Sequence, residues 1–289
     1  MTCTRQLLSD LLWVVNSPML LATNDQVVSG HWRIREQDVD AMHLARFMEQ
    51  KSLRSLGKYF EGLVSYWLQH LRKVDLLFES YVIRDHKRTI GEVDFIFIDE
   101  HGRTTHWEVA VKFYLFNPQE CVLGSPFIGP NANDTLDRKL HRLFDHQLTL
   151  GKQSLPDVDV EIREAFVKGR IFYPDGQADR SVGHPGLSSA HLKGSWFRHS
   201  EFRPLQDDPA MASEDVRYCW LEKPNWLSVI ELSGEEDDLL SFDDLSGRMD
   251  GHFANSKRCP LVVQLKSDGT TFHESRRFFV VPDGWPGVS

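Results

Sequence analysis

The chain has 289 residues, 41% of them hydrophobic, and a formal net charge of −9 at pH 7. That length supports one large core or two modest ones. No run reaches the roughly 20 apolar residues that span a bilayer, so no membrane partner is expected, and the acidity argues against a protein that coats nucleic acid with its whole surface.

The first predicted element is a helix. Leu7, Leu8, Leu11, Leu12 and Val15 recur at helical spacing, and Asp10 interrupts what would otherwise be a signal-like apolar run. A polar stretch over residues 22–40 follows. Next comes a long helical pattern ending in "SLRSLGKYFEGLVSYWLQHL", where Leu56, Phe60, Leu63, Val64, Trp67 and Leu71 share one face. Three strands are then predicted, "LLFESYVIRD", "GEVDFIFID" and "TTHWEVAVKFYL". Turns at His86-Lys87 and His101-Gly102 would fold them into a meander. Residues 117–133, rich in Gly, Pro and Asn, read as a loop. A second helix runs from Thr135 to Leu150, with Asn133 or Asp134 as its cap.

Beyond Gly151 the texture changes to short strands, such as "AFVKGRIFYP", "HLKGSWFRH", "VRYCWLE", "PLVVQLK" and "RRFFVVP", separated by polar loops. We place a boundary there, giving a core over 1–152 and a β-rich extension over 153–289. Residues 1–152 carry 18 Lys and Arg against 19 Asp and Glu, and the remainder carries 15 against 23. The acidity therefore belongs to the extension, and the first part can hold a local basic groove. Glu235–Asp238 with Asp243 and Asp244 lacks the Gly and Glu placement of a calcium loop and reads as a solvated loop. His184, His191 and His199 lack metal-finger spacing. Trp196, Trp220, Trp226 and Trp285 read as core packing rather than base-stacking surfaces. Cys3, Cys121, Cys219 and Cys259 form no CxxC pair, which points to a reducing, cytosolic setting.

The meander carries an anomaly. Strand side chains alternate faces. In the third strand Trp107, Val109, Val111, Phe113 and Leu115 form an apolar face, and His106, Glu108, Ala110, Lys112 and Tyr114 form the other. In the second strand Glu92, Asp94 and Ile96 share a face opposite Val93, Phe95 and Phe97. One side of the sheet is core, and the other gathers Asp94, Glu108 and Lys112 among apolar neighbours. Carboxylates on adjacent strands suit a hard divalent cation, which serves phosphodiester hydrolysis; a nearby lysine offsets charge or orients water. A solvated sheet face is the plain alternative. Two more residues point inward: Gln147, centred on the apolar stripe of its helix, and Glu61, at the edge of the stripe in "YFEGLVSYWL". Arg84, His86, Lys87 and Arg88 crowd the first turn, where they could meet phosphates.

The order helix with Glu, "GEVD", turn, "WEVAVK", helix with "HQL" resembles the PD-(D/E)XK nuclease superfamily, above all its RecB-like branch. "GEVDFIF" with "HWEVAVKFYL" is also similar to a bacterial family of unknown function, DUF1853, grouped with those nucleases. The superfamily resemblance covers residues 50–152. It implies an α/β fold with a restriction-endonuclease-like core, a mixed sheet flanked by helices. It implies Mg²⁺ or Mn²⁺ on Asp94, Glu108 and Glu61, a lysine role for Lys112, and Gln147 touching the site or the substrate. Arg84, Lys87, Arg88 and Lys152 would then meet DNA or RNA. Ala110 stands in the usual lysine place, with Lys112 one strand repeat beyond it. Hence the alternative expectation is a nuclease-fold module that has lost catalysis and binds nucleic acid or a protein partner.

Overall fold

The computed structural model describes residues 4–51, 54–85, 88–153, 158–177, 184–233 and 238–287. They form a mixed α/β structure in two compact units, unit 1 comprising Met1–Lys112, Arg138–Gly169 and Gly183–Leu192, and unit 2 comprising Phe113–Asp137, Arg170–Val182 and Lys193–Ser289.

Unit 1 opens with three helices, α1 (Thr4–Asn16), α2 (Ala41–Glu49) and α3 (Leu56–Tyr66). The long helical pattern of the sequence is thus divided. Asp40 caps α2 by accepting from the N–H groups of Met42 and His43, and Ser55 caps α3 by accepting from Lys58 N–H. A π-helical turn, Trp67–Arg72, extends α3 and ends at Lys73 in the left-handed region. The meander follows as β1 (Asp75–Asp85), β2 (Arg88–Ile98) and β3 (Thr104–Phe116). Its first turn lies outside the described residues; its second uses Gly102 at φ 78°. The helix expected over 135–150 is α4 (Leu136–Arg142), a π-helical turn (Leu143–Gln147) and α5 (Leu148–Gln153).

Strand β5 (Ile162–Pro174) pairs with β3, so the sheet of unit 1 runs β1-β2-β3-β5. The division expected at residue 153 falls inside unit 1, because β5 returns to the meander. At Gly169, φ 151°, a Cβ would meet the Lys112 carbonyl oxygen, so only glycine permits this approach. Trp107 supplies the core as its alternation demands. It stacks on Phe166 with ring centroids 5.2 Å apart, and the Arg72 guanidinium lies 4.9 Å from its ring and 4.5 Å from that of Trp32.

In unit 2 the sheet order is β3-β5-β6-β10-β9-β7, with β4 (Phe127–Ile128) on β3 and β8 (Glu231–Ser233) on β10. The strands are β6 (Leu192–Arg198), β7 (Val216–Leu221), β9 (Leu261–Ser267) and β10 (Thr271–Val281). β10 runs parallel to β6 and antiparallel to β9, which makes the sheet mixed. Short helices α6 (His199–Phe202) and α7 (Pro209–Ala212) precede a longer one, α8 (Phe242–Asn255). The solvated loop expected at Asp243 and Asp244 is the first turn of α8. Ser241 caps it reciprocally with Asp244, and Phe242, Leu245 and Met249 face the core. Trp196 and Trp285 are buried against each other, centroids 5.3 Å apart, as core packing requires.

Candidate metal centre

The site forms where β2 and β3 part. Their paired register runs from Ile98↔Thr104 to Phe95↔Trp107, and Asp94 and Glu108 are the next residues along. Here side chains replace the ladder. Val109 N–H donates to Oδ2 of Asp94 at 2.9 Å, and Asp94 N–H lies 3.4 Å from Oε1 of Glu108. The two acids therefore share a face and sit side by side. The polar face is not a wet one: Glu108 is 1% exposed and His106 is fully buried.

Helix α3 lays Glu61 over the same spot. One carboxylate oxygen from each of Glu61, Glu92 and Asp94 lies within 4.8 Å of the other two. Glu92 joins because it shares a face with Asp94 two residues on. That alternation is plain in "GEVD", yet only Asp94 was singled out from it. The helix bearing Gln147 packs on β2 through Leu150, whose Cδ1 would lie 2.4 Å from a Cβ at Gly91; the glycine admits this contact. Nε2 of Gln147 donates to Oε2 of Glu108 at 2.9 Å. His106 Nε2 meets Oε1 of Glu108 at 2.8 Å, and its Nδ1 is buried with no partner among the described residues.

Lys58 brings an ammonium to this cluster. Nζ donates to Oε2 of Glu61 at 2.6 Å and to Oε1 of Glu92 at 2.9 Å. Its signal in the sequence was the Lys-x-x-Glu spacing of Lys58 and Glu61 on one helix face. Lys112 is half-buried, and the lysine charge acting on Asp94 is that of Lys58. A second buried lysine, Lys168, is pushed down to about 7 by burial, but it donates to the carbonyls of Val15 and Ser17 at the end of α1. Arg84 is exposed. Lys87 and the side chains of Arg88 and Lys152 lie outside the described residues.

The electrostatics are those of crowded acids. Burial pushes Glu108 up to about 8, with the charges of Glu61 and Glu92 adding to the rise and the bonds from Asp94 N–H and Gln147 opposing it. Asp94 is held well above the usual carboxylate range by burial and then by Glu108 and Glu61. Glu61 is raised by burial against the opposing pull of Lys58. Burial and the charge of Arg163 bring His106 down to about 4, so it is neutral at pH 7.

The family model for a domain of unknown function, DUF1853, matches residues 9–281. The chain belongs to that family. No curated protein and no solved structure is significantly similar to it. The DUF1853 match runs through both units, so the acid cluster and the strands of unit 2 belong to one family domain. Among the described residues no helix is long and apolar enough to cross a membrane, and Cys121, Cys219 and Cys259 form no disulfide.

Proposed function

We propose that this protein is a Mg²⁺- or Mn²⁺-dependent nuclease of the PD-(D/E)XK type, cutting phosphodiester bonds in DNA or RNA in the cytosol. The observation that carries the reading is the convergence of Glu61, Glu92 and Asp94 within 4.8 Å. Oxygens bound to one hard cation at about 2.0–2.6 Å lie no more than about 5 Å apart, so the three fit a shared ion. Raised carboxyl pKa values mark the same place, since crowded acids are relieved by positive charge.

A bound Mg²⁺ or Mn²⁺ would supply a water of lowered pKa and offset charge on a phosphoryl oxygen. The chain's own residues do the rest. Glu61, Glu92 and Asp94 would hold the ion. Glu108 takes donors from Asp94 N–H, His106 and Gln147, which leaves about one of its roughly four lone-pair sites for the ion or a water. Gln147 and His106 fix the Glu108 carboxylate from either oxygen.

The test is cleavage of labelled single- and double-stranded DNA and RNA with Mn²⁺, comparing wild type with Asp94→Asn. The reading expects cleavage by wild type that EDTA and Asp94→Asn abolish. Mn²⁺ binding without cleavage of any of the four substrates would instead identify a degenerate nuclease-fold module kept for recognition. Cleavage that survives Asp94→Asn would overturn the reading.

A further inference from the structure

Lys58 sits one turn before Glu61 in α3, and its ammonium bridges Glu61 and Glu92 at 2.6 and 2.9 Å. Those are two of the three acids that converge within 4.8 Å. An ammonium bonded to both competes with a shared divalent cation for their charge, because each carboxylate must turn an oxygen toward that ion. Lysine suits this exchange. It is a compact point charge on a flexible stem, whereas an arginine fork would lock the carboxylates in place. The Lys58 side chain is 42% exposed, so its stem enters from the solvent side and can swing without disturbing the packing of α3. Lys112 is half-buried on β3, where Gly169 of β5 packs against its carbonyl.

Resting on the metal reading above, we propose that Lys58, not Lys112, is the working lysine of the cluster. It is a resident cation that holds Glu61 and Glu92 together, yields their oxygens to an arriving Mg²⁺ or Mn²⁺, and then pairs with a phosphate of the substrate. The lysine role has thus moved from the strand to the facing helix. Lys58 competes with the metal in binding and assists it in turnover, so the two effects of removing it carry opposite signs. A merely structural ion pair would not produce that combination.

The experiment compares wild type, Lys58→Met, Lys58→Arg and Lys112→Met by calorimetric titration of Mn²⁺ at pH 8 and by cleavage of the four nucleic acid substrates. Circular dichroism and melting confirm that each variant is folded. Lys58→Met is expected to bind Mn²⁺ about tenfold more tightly, since a competing charge is gone, yet to cleave at least about 100-fold more slowly. Lys58→Arg should return Mn²⁺ affinity toward the wild-type value and recover part of the cleavage. Lys112→Met should match wild type in both. Unchanged or weaker Mn²⁺ affinity in Lys58→Met would overturn the proposal, as would loss of cleavage in Lys112→Met with retention in Lys58→Met. Failure of the underlying metal reading shows separately, as no Mn²⁺ binding in wild type, before any lysine variant is compared. The affinity arm decides even for a protein that binds metal without cutting.

Discussion

Two groups of buried charge in this chain are built in opposite ways. In unit 2, Arg277 is buried with its side chain fully enclosed. Nε and Nη2 donate to the two oxygens of Glu274 at 2.8 and 2.7 Å, Nη1 donates to Trp226 O at 2.6 Å, and Nη2 also donates to Ser228 O at 2.5 Å. The guanidinium meets acceptors along its whole edge, and Glu274 faces the positive charges of both Arg277 and Arg170. In unit 1, Glu61, Glu92, Asp94 and Glu108 crowd together with Lys58 as the cation among them, and three of the four have raised pKa values. The first arrangement is complete as it stands and serves the fold. The second gathers more carboxyls than one ammonium can balance, which is the mark of a place prepared for a ligand.

The contrast can be broken by mutation. The largest stability effect should come from Arg277→Met, which strands Glu274 in the interior. A loss of about 3–5 kcal/mol is expected in urea unfolding, because the remaining charge is buried without its partner. Asp94→Asn should behave otherwise. The amide oxygen can still accept from Val109 N–H, and the change removes a charge from a repelling set. Stability in the presence of EDTA should rise or stay within about 1 kcal/mol of wild type. A loss as large as that of Arg277→Met would mean that both clusters are structural.

The pH dependence sharpens the same comparison. Glu108 is raised from 4.5 to about 8, so the folded chain holds a proton that the unfolded chain has released between those values. Its stability contribution is full below about pH 4.5 and is lost as pH climbs through about 8. With EDTA present, melting temperature should therefore fall over that window; with Mn²⁺ the fall should flatten, because the ion takes the place of the proton. A rise with pH under EDTA would contradict the assignment. A further effect belongs to Gln147→Leu. Losing the bond to Oε2 of Glu108 removes a contact that favours the carboxylate, worth about 1–2 kcal/mol. The pH at which Mn²⁺ binding reaches half its maximum should move upward, by up to about one unit.

Much of this was legible in the chain. Period-two alternation separated Trp107 from Glu108 and put Asp94 on the acid face, and the helical stripe pointed Gln147 inward, because burial of one face imposes those patterns directly. What escaped was cross-element. Lys58 and Glu92 are ordinary surface choices within their own segments, a helix Lys-x-x-Glu pair and a mid-strand acid. They become a site only when α3 lies across β2, which no local spacing encodes. Lys112 shares the acid face of β3, as that alternation places it, and is half-buried. Helix α8 hid inside an acidic run because its acids serve as first-turn charges behind the Ser241 cap, a pattern that reads as solvation unless Phe242, Leu245 and Met249 are seen as one stripe. The boundary at 153 followed a change of texture, whereas the units follow strand pairing, and β5 pairs backward with β3.

The most direct test of the acid cluster is calorimetric titration of Mn²⁺ into wild type and Asp94→Asn, each in two buffers of different ionisation heat. The account expects saturable binding by wild type, with a heat that depends on the buffer because protons leave the carboxyls as the ion arrives. It expects that binding to disappear in Asp94→Asn while the fold remains. No binding by wild type, or the same binding in both proteins, would contradict it and leave the acids of β2 and β3 as a structural feature of the sheet.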